Sequence, residues 1–102
     1  MRVYKLQLAS EAIQDAGEIS LWYEKQLAGL GDRFLNELNL TLDRIAQNPF
    51  AFGKIDTRSD IRKCYIKRFQ YKVYFNPSEE PVLILAIIHT ARSKRYIRKR
   101  LW

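Results

Sequence analysis

The sequence has little cysteine, proline or glycine, and it contains no low-complexity segment. Its 102 residues include one cysteine, one histidine, three prolines and four glycines. The lone thiol, Cys64, excludes an internal disulfide and any multi-cysteine metal centre, which fits a reducing compartment. We therefore expect Cys64 to pack as a small buried apolar residue, and we expect neither a metal site nor a cofactor.

Long apolar runs and a secretion signal are also missing. The longest apolar run covers residues 82–88, whereas a membrane-spanning helix needs about 20 residues. The amino terminus lacks the ordered charged, apolar and small-residue regions of a signal peptide. These absences predict a cytoplasmic protein with no membrane partner, and the length predicts a single domain over residues 1–102.

Acidic residues are scarce in the second half of the chain, so the two halves carry opposite charge. Residues 1–50 hold five Lys/Arg and seven Asp/Glu, whereas residues 51–102 hold thirteen and four. The cations of the last eleven residues are Arg92, Lys94, Arg95, Arg98, Lys99 and Arg100, with no acidic side chain among them. Such a polarised chain attracts phosphate groups or an acidic protein surface, so we expect an anionic partner.

The amino-terminal half predicts a strand followed by a helix. Alternation over residues 3–8 indicates a half-buried strand whose inner row is Tyr4, Leu6 and Leu8. Ser10 is the expected N-cap of the helix, and Gly29 its expected end. The predicted apolar stripe is Ala12, Ile13, Ala16, Ile19, Tyr23 and Leu27. The predicted solvent side carries Glu11, Asp15, Glu18 and Glu24.

A second helix is predicted after the short corner at residues 29–31. Asp32 is its expected cap, and Asn48-Pro49 ends it. Its apolar stripe is Phe34, Leu35, Leu38, Leu42, Ile45 and Ala46. So short a corner predicts an antiparallel helical hairpin.

The carboxyl-terminal half predicts strands at residues 61–66, 71–75 and 82–88. The first two form a hairpin in which Tyr71, Val73 and Phe75 share one face. The third is apolar throughout, which predicts a central strand covered on both faces. The expected fold is α+β: an amino-terminal strand, a helical hairpin, then a three-stranded antiparallel meander. One sheet packs on the helices, and a short basic tail or helix ends the chain.

The order of several short motifs resembles the RelE/ParE superfamily of bacterial type II toxins. The motifs are Trp22-Tyr23, Gly31-Asp32-Arg33-Phe34, Asn48-Pro49, Ile61-Arg62, Phe69-Gln70-Tyr71-Lys72-Val73-Tyr74 and His89-Thr90-Ala91-Arg92. The resemblance covers nearly the whole chain. It implies a small α+β toxin that a cognate antitoxin protein neutralises.

Two activities occur in that superfamily, and the motifs favour the ParE-like branch. The long helical hairpin, Phe69-x-Tyr71 and His89-x-x-Arg92 resemble ParE-like members, which poison DNA gyrase without a hydrolytic site. The resemblance implies binding rather than catalysis, with no small-molecule substrate. The expected target-binding residues are Arg92, His89, Lys94, Arg95 and Arg98. His89 also has a structural interpretation, as a hydrogen-bonded residue at the end of a buried strand.

A RelE-like alternative leaves enzymatic activity open. RelE-like members cleave ribosome-bound mRNA, which requires cations over the phosphate and an acid for the leaving oxygen. The candidate catalytic residues are Lys67, Arg68, Arg92 and Tyr96, with His89 as a second candidate acid. A further alternative is a non-toxic nucleic-acid-binding or interaction module.

Trp22 and Leu40 lie away from the main apolar stripes of the predicted helices. Large apolar side chains outside a core-facing stripe indicate either the edge of the core or a partner contact. We predict that Trp22 and Leu40 contact the antitoxin.

Overall fold

The computed structural model describes residues 3–102. The strands are β1 (Leu6–Leu8), β2 (Arg62–Tyr65), β3 (Tyr71–Asn76) and β4 (Val82–His89). The helices are α1 (Ser10–Gln26), α2 (Leu30–Gln47) and α3 (Lys94–Leu101), and a 3-10 turn covers Pro49–Ala51. The predicted α+β class and element order are confirmed, and the basic carboxyl-terminal segment is a helix. None of the helices in this described part is long and apolar enough to cross a membrane.

The four strands form one mixed sheet in the order β1-β4-β3-β2. The predicted meander is antiparallel, whereas β1 pairs with β4 in parallel. The apolar strand β4 is therefore central, as its sequence predicted. The strand predicted over residues 3–8 is shorter than expected, but its inner row, Tyr4, Leu6 and Leu8, does pack against the core.

Each face of the sheet is covered by helix. On one face, the α1–α2 hairpin packs Phe34 and Ile45 against Val73, Phe75 and Ile84. The opposite face carries a second cluster of Ile61, Tyr74, Ala86 and Ile88, onto which Tyr96, Ile97 and Leu101 of α3 pack. The basic helix α3 thus closes the sheet face that the hairpin leaves open.

Helix α2 ends at Asn48-Pro49 as predicted, but the other predicted helix boundaries, at Ser10, Gly29 and Asp32, are wrong. Ser10 is the first residue of α1, the cap position is Ala9, and the Ser10 hydroxyl donates to Glu11 Oε1 at 2.8 Å. Gly29 does not end α1, because Leu27 is already extended. Gly29 instead adopts a left-handed conformation (φ 88°) and precedes α2, which leaves Asp32 within the first turn.

A carboxylate from α1 caps α2 in place of Asp32. The Gly29 amide donates to Glu24 Oε1 and Oε2 at 3.1 and 2.9 Å, and the Gly31 amide donates to Oε1 at 3.1 Å. A negative charge at a helix amino terminus also complements the helix dipole. The two helices approach so closely here that a Cβ on Gly31 would lie 2.5 Å from the Ser20 carbonyl oxygen.

The predicted faces of α1 are wrong at three positions. Ile13 and Leu27, assigned to the apolar stripe, are exposed. Asp15, assigned to the solvent side, is largely buried against the sheet and α3. Its Oδ2 accepts the Ile87 backbone N–H at 3.0 Å and Arg100 Nη2 at 2.7 Å. Asp15 therefore joins α1, β4 and α3.

Gly31→Ala should destabilise the fold by about 1–3 kcal/mol, because the added methyl overlaps the Ser20 carbonyl. Gly17→Ala is the matched control, since nothing lies within 4 Å of its Cβ position. The free energy of unfolding of that control should rise by about 1 kcal/mol, because alanine has a higher helix propensity than glycine. Urea unfolding measures both, and equal shifts for the two variants would contradict the close helix approach.

Asp15→Asn should lower the free energy of unfolding by about 1.5–3 kcal/mol, because it removes a charge-assisted bond to Arg100. Trypsin should also cleave α3 sooner, since the helix loses its link to α1. Glu18→Gln removes the same charge from the same helix at an exposed site. That control should stay within about 0.5 kcal/mol of the parent.

Candidate functional site

The turn that follows β4 is organised by His89. Its Nδ1 accepts the Ala91 amide at 3.0 Å, and its carbonyl accepts the Arg92 amide at 3.1 Å. Its ring packs edge-on against Tyr71, with centroids 5.0 Å apart. Because Nδ1 is an acceptor, the neutral ring carries its proton on Nε2. His89 therefore fixes the geometry of the turn that presents Arg92.

Arg92 is exposed, and its guanidinium lies over an aromatic ring. Cζ is 4.4 Å from the centroid of the Tyr96 ring. Within residues 3–102, no carboxylate forms a salt bridge with Arg92. A cation–π contact orients the side chain without neutralising it. Arg92 can therefore bind an anion.

The other predicted target-binding cations, Lys94, Arg95 and Arg98, are exposed on α3 and are not paired with any described carboxylate. Helix α3 begins where Ser93 Oγ accepts the Tyr96 amide at 3.1 Å. Cations at the carboxyl end of a helix favour its dipole, but Lys94 and Arg95 lie in the first turn, where cations are unfavourable. Helix stability does not explain those two charges.

A groove opens between the helical hairpin and the turn that precedes β3, with a volume of about 930 Å³. We call it the hairpin groove. Its lining includes Trp22, Leu30, Arg33, Asn36, Glu37 and Phe69. Trp22 is 56% exposed and packs edge-on against Tyr23, with centroids 5.1 Å apart. Leu40 is 57% exposed and lies one turn beyond Asn36 on α2.

The residues of the ribonuclease alternative lie in two places. Arg68, in a left-handed conformation, donates to Glu37 Oε1 at 2.7 Å in the hairpin groove. Lys67 is exposed in the same turn between β2 and β3. Arg92 and Tyr96 instead line a shallow groove between α1 and α3. No described contact joins Lys67 or Arg68 to Arg92 or Tyr96.

Cys64 is buried, as predicted, and its pKa is raised because burial disfavours the thiolate. Burial likewise raises the pKa values of Tyr23 and Tyr71. All three groups are therefore neutral near pH 7, and none supplies an anion to the site.

Two carboxylates that matter for the site were missed in the sequence. Asp15 holds Arg100 of α3, and Glu37 holds Arg68 in the hairpin groove. A signal for Asp15 was present, because it lies three residues after buried Ala12 and four before buried Ile19. That spacing places it on the core side of the helix.

One comparison with known proteins shows the family of the chain, and a second shows a similar fold. The sequence model of the protein family described as ParE toxin of type II toxin-antitoxin system, parDE, matches residues 6–94 of this chain. A solved structure, described as the chromosomal ParDE TA system from P. aeruginosa, has a similar fold, with a TM-score of 0.75 and 15% identity. The alignment covers 85% of this chain and 96% of that chain. Among curated proteins, none matches.

Proposed function

Because the chain belongs to the ParE toxin family of type II toxin-antitoxin systems, we propose that it arrests growth by binding an essential cytoplasmic target. We further propose that a cognate antitoxin neutralises it. DNA gyrase is the target that the resemblance to ParE-like toxins implies. The similarity to a chain of a ParDE system supports the antitoxin partner.

The exposed Arg92, free of any described carboxylate, is the observation that carries the proposed target contact. Tyr96 orients its guanidinium and His89 fixes its backbone. Guanidinium binds carboxylates and phosphates in two-pronged hydrogen bonds, and an arginine oriented before binding loses less side-chain entropy. Lys94, Arg95 and Arg98 extend the positive surface along α3. We propose that this surface contacts a gyrase–DNA complex.

The hairpin groove is the proposed antitoxin site. Its exposed Trp22 and its polar rim, including Arg33 and Asn36, have the composition of a protein interface. An antitoxin helix that lays its apolar face in this groove would cover Trp22 and reach Leu40. Such a helix neutralises the toxin if its continuation also covers Arg92.

Binding is favoured over catalysis because the proposed ribonuclease residues are separated. Arg68 is held by Glu37 in the hairpin groove, whereas Arg92 and Tyr96 line the groove between α1 and α3. Cleavage of a single phosphodiester requires the cation and the acid around one phosphorus atom. Ribosome-bound mRNA remains the alternative target, and mapping of transcript ends on ribosomes distinguishes it from gyrase.

Arg92→Ala should abolish growth arrest when the chain is induced without antitoxin. Loss of a central interface arginine costs about 2 kcal/mol or more in binding, which is about a 30-fold loss of affinity. Viable counts measure arrest, a supercoiling assay measures gyrase inhibition, and mapped transcript ends on ribosomes measure mRNA cleavage. We expect gyrase inhibition by the parent and no new transcript ends.

The matched control is Lys25→Ala, which removes an exposed cation of α1 outside both surfaces. It should arrest growth like the parent. Circular dichroism should be unchanged in Arg92→Ala, and the variant should still bind the antitoxin through the hairpin groove. Full growth arrest by Arg92→Ala would overturn the proposed target site, and ribosome-dependent cleavage would replace gyrase with mRNA as the target.

Trp22→Ala should weaken antitoxin binding by about 2 kcal/mol, roughly a 30-fold rise in Kd, because a buried interface tryptophan is removed. Leu40→Ala should cost about 1 kcal/mol. Leu21→Ala is the control, since Leu21 is equally exposed on α1 but does not line the hairpin groove. Titration calorimetry with the antitoxin checks the three variants, and equal losses for Trp22 and Leu21 would refute the assignment of the groove.

A further inference from the structure

Two cations of the proposed target surface, Lys94 and Arg98, also line a cavity on the sheet face beside α3 that does not include Arg92. Lys63 of β2 and Lys72 of β3 face Lys94 and Arg98 of α3 across this cavity, which has a volume of about 250 Å³. We call this cavity the cationic groove. Tyr74 and Trp102 are also among its lining residues. Lys63, Lys72 and Trp102 belong neither to the proposed target surface nor to the hairpin groove.

The strand register places these side chains together. Cys64 and Val73 point toward the helical hairpin and are buried there. Their neighbours along each strand therefore point to the α3 face. Lys63 is opposite Tyr74, and Tyr65 is opposite Lys72. Both lysines are half-buried at the base of the groove.

The cationic groove holds far more positive than negative charge. None of its four cations forms a salt bridge with a carboxylate of residues 3–102. The one acid in its lining is Asp56. That carboxylate accepts the Arg58 amide at 2.8 Å and lies 3.9 Å from Arg58 Nη2. Four converging cations repel one another, and a bound anion relieves that repulsion.

Two exposed aromatic rings accompany the cations. Tyr65 is 59% exposed, and Lys72 Nζ lies 5.6 Å from its ring centroid. Trp102, in the lining of the groove, is 61% exposed. Cations beside exposed rings are typical of surfaces that bind single-stranded nucleic acid, where lysines hold phosphates and unstacked bases lie on the rings. An acidic peptide offers no planar bases, and a duplex keeps its bases stacked inside.

We propose that the cationic groove binds single-stranded nucleic acid, with phosphates on Lys63, Lys72, Lys94 and Arg98. Bases stack on Tyr65 and Trp102. The cationic groove shares Lys94 and Arg98 with the proposed target surface, but oligonucleotide binding is measured without growth arrest and does not involve the hairpin groove. Single-stranded nucleic acid is a class of ligand that the proposed target contact through Arg92 does not by itself imply.

The salt dependence of binding tests the number of phosphate contacts. Fluorescence anisotropy with labelled oligothymidylate or oligouridylate and the full chain should give a slope of log affinity against log salt of about −2.8 for four contacts. Affinity should therefore fall about 50-fold between about 50 and 200 mM salt. The double substitution Lys63→Gln/Lys72→Gln should reduce the slope to about −1.4 and the loss to about 7-fold.

A control variant that loses the same two positive charges outside the cationic groove shows whether binding depends on the groove lysines or only on net charge. Lys5 and Lys25 are exposed in the acidic half of the chain, outside the cationic groove. Lys5→Gln/Lys25→Gln should keep the parent slope. If Lys63→Gln/Lys72→Gln fails to fold by circular dichroism, Lys94→Gln/Arg98→Gln on exposed α3 positions serves the same test. Equal slopes for the control and groove variants would overturn the proposal.

Ring substitutions test whether bases stack. Tyr65→Ala and Trp102→Ala should each weaken oligonucleotide binding about tenfold without changing the salt slope. Phe50→Ala removes an exposed ring that lines a different cavity, with Tyr4 and Lys5, and should have no effect. Duplex DNA or polyglutamate binding as tightly as the single strands, or unchanged affinity in both ring variants, would show that the site is not specific for single strands.

Discussion

One carboxylate oxygen links the helical hairpin, the sheet and helix α3. Asp15 Oδ2 accepts the backbone amide of Ile87 in the central strand and the guanidinium of Arg100 in α3. Both bonds involve a charged acceptor in a mostly buried position, where such bonds are strong. Helix α3 has no fully buried residue of its own. Its position on the sheet, and hence the position of every cation it carries, therefore depends on this link and on the apolar contacts of Tyr96, Ile97 and Leu101.

The sheet separates two kinds of surface. The hairpin side presents an aromatic groove with paired charges, such as Arg68 with Glu37. The α3 side presents cations without described carboxylate partners, at Arg92 and in the cationic groove. Tyr71 and His89 lie where the two sides meet, and both line grooves on each side. A partner that extends past this junction can cover Trp22 and Arg92 together, which is the geometry that the proposed neutralisation requires.

Periodicity and composition predicted the parts of the fold that depend on local sequence. The apolar run at residues 82–88 identified the central strand, and alternation placed Val73 and Phe75 on the hairpin side. The helix caps were not predictable in this way, because the group that caps α2 is Glu24 of the other helix. The parallel pairing of β1 with β4 was also missed, since it joins segments far apart in the sequence.

For the candidate site, the sequence predicted the charge of the surface but not its ion pairs. The concentration of cations after residue 91 predicted an anion-binding surface, which stays a prediction, and Arg92 is exposed. The sequence did not reveal which cations are paired, because the partners of Arg68 and Arg100 lie 31 and 85 residues away. In the sequence, Lys63 and Lys72 are interleaved with the aromatic residues of the predicted strands. Their convergence with α3 requires the folded helix.

The close contact of Gly31 with the Ser20 carbonyl has a consequence for recognition. Two helices that touch backbone to backbone cannot move closer together, and the Glu24 cap resists their separation. The two helices of the hairpin groove therefore resist relative movement near Gly31, so we expect a segment that docks there to adapt its own shape and lose its own conformational entropy. Differences in affinity among related partners would then arise from how well each partner is preorganised, rather than from adjustment of the toxin.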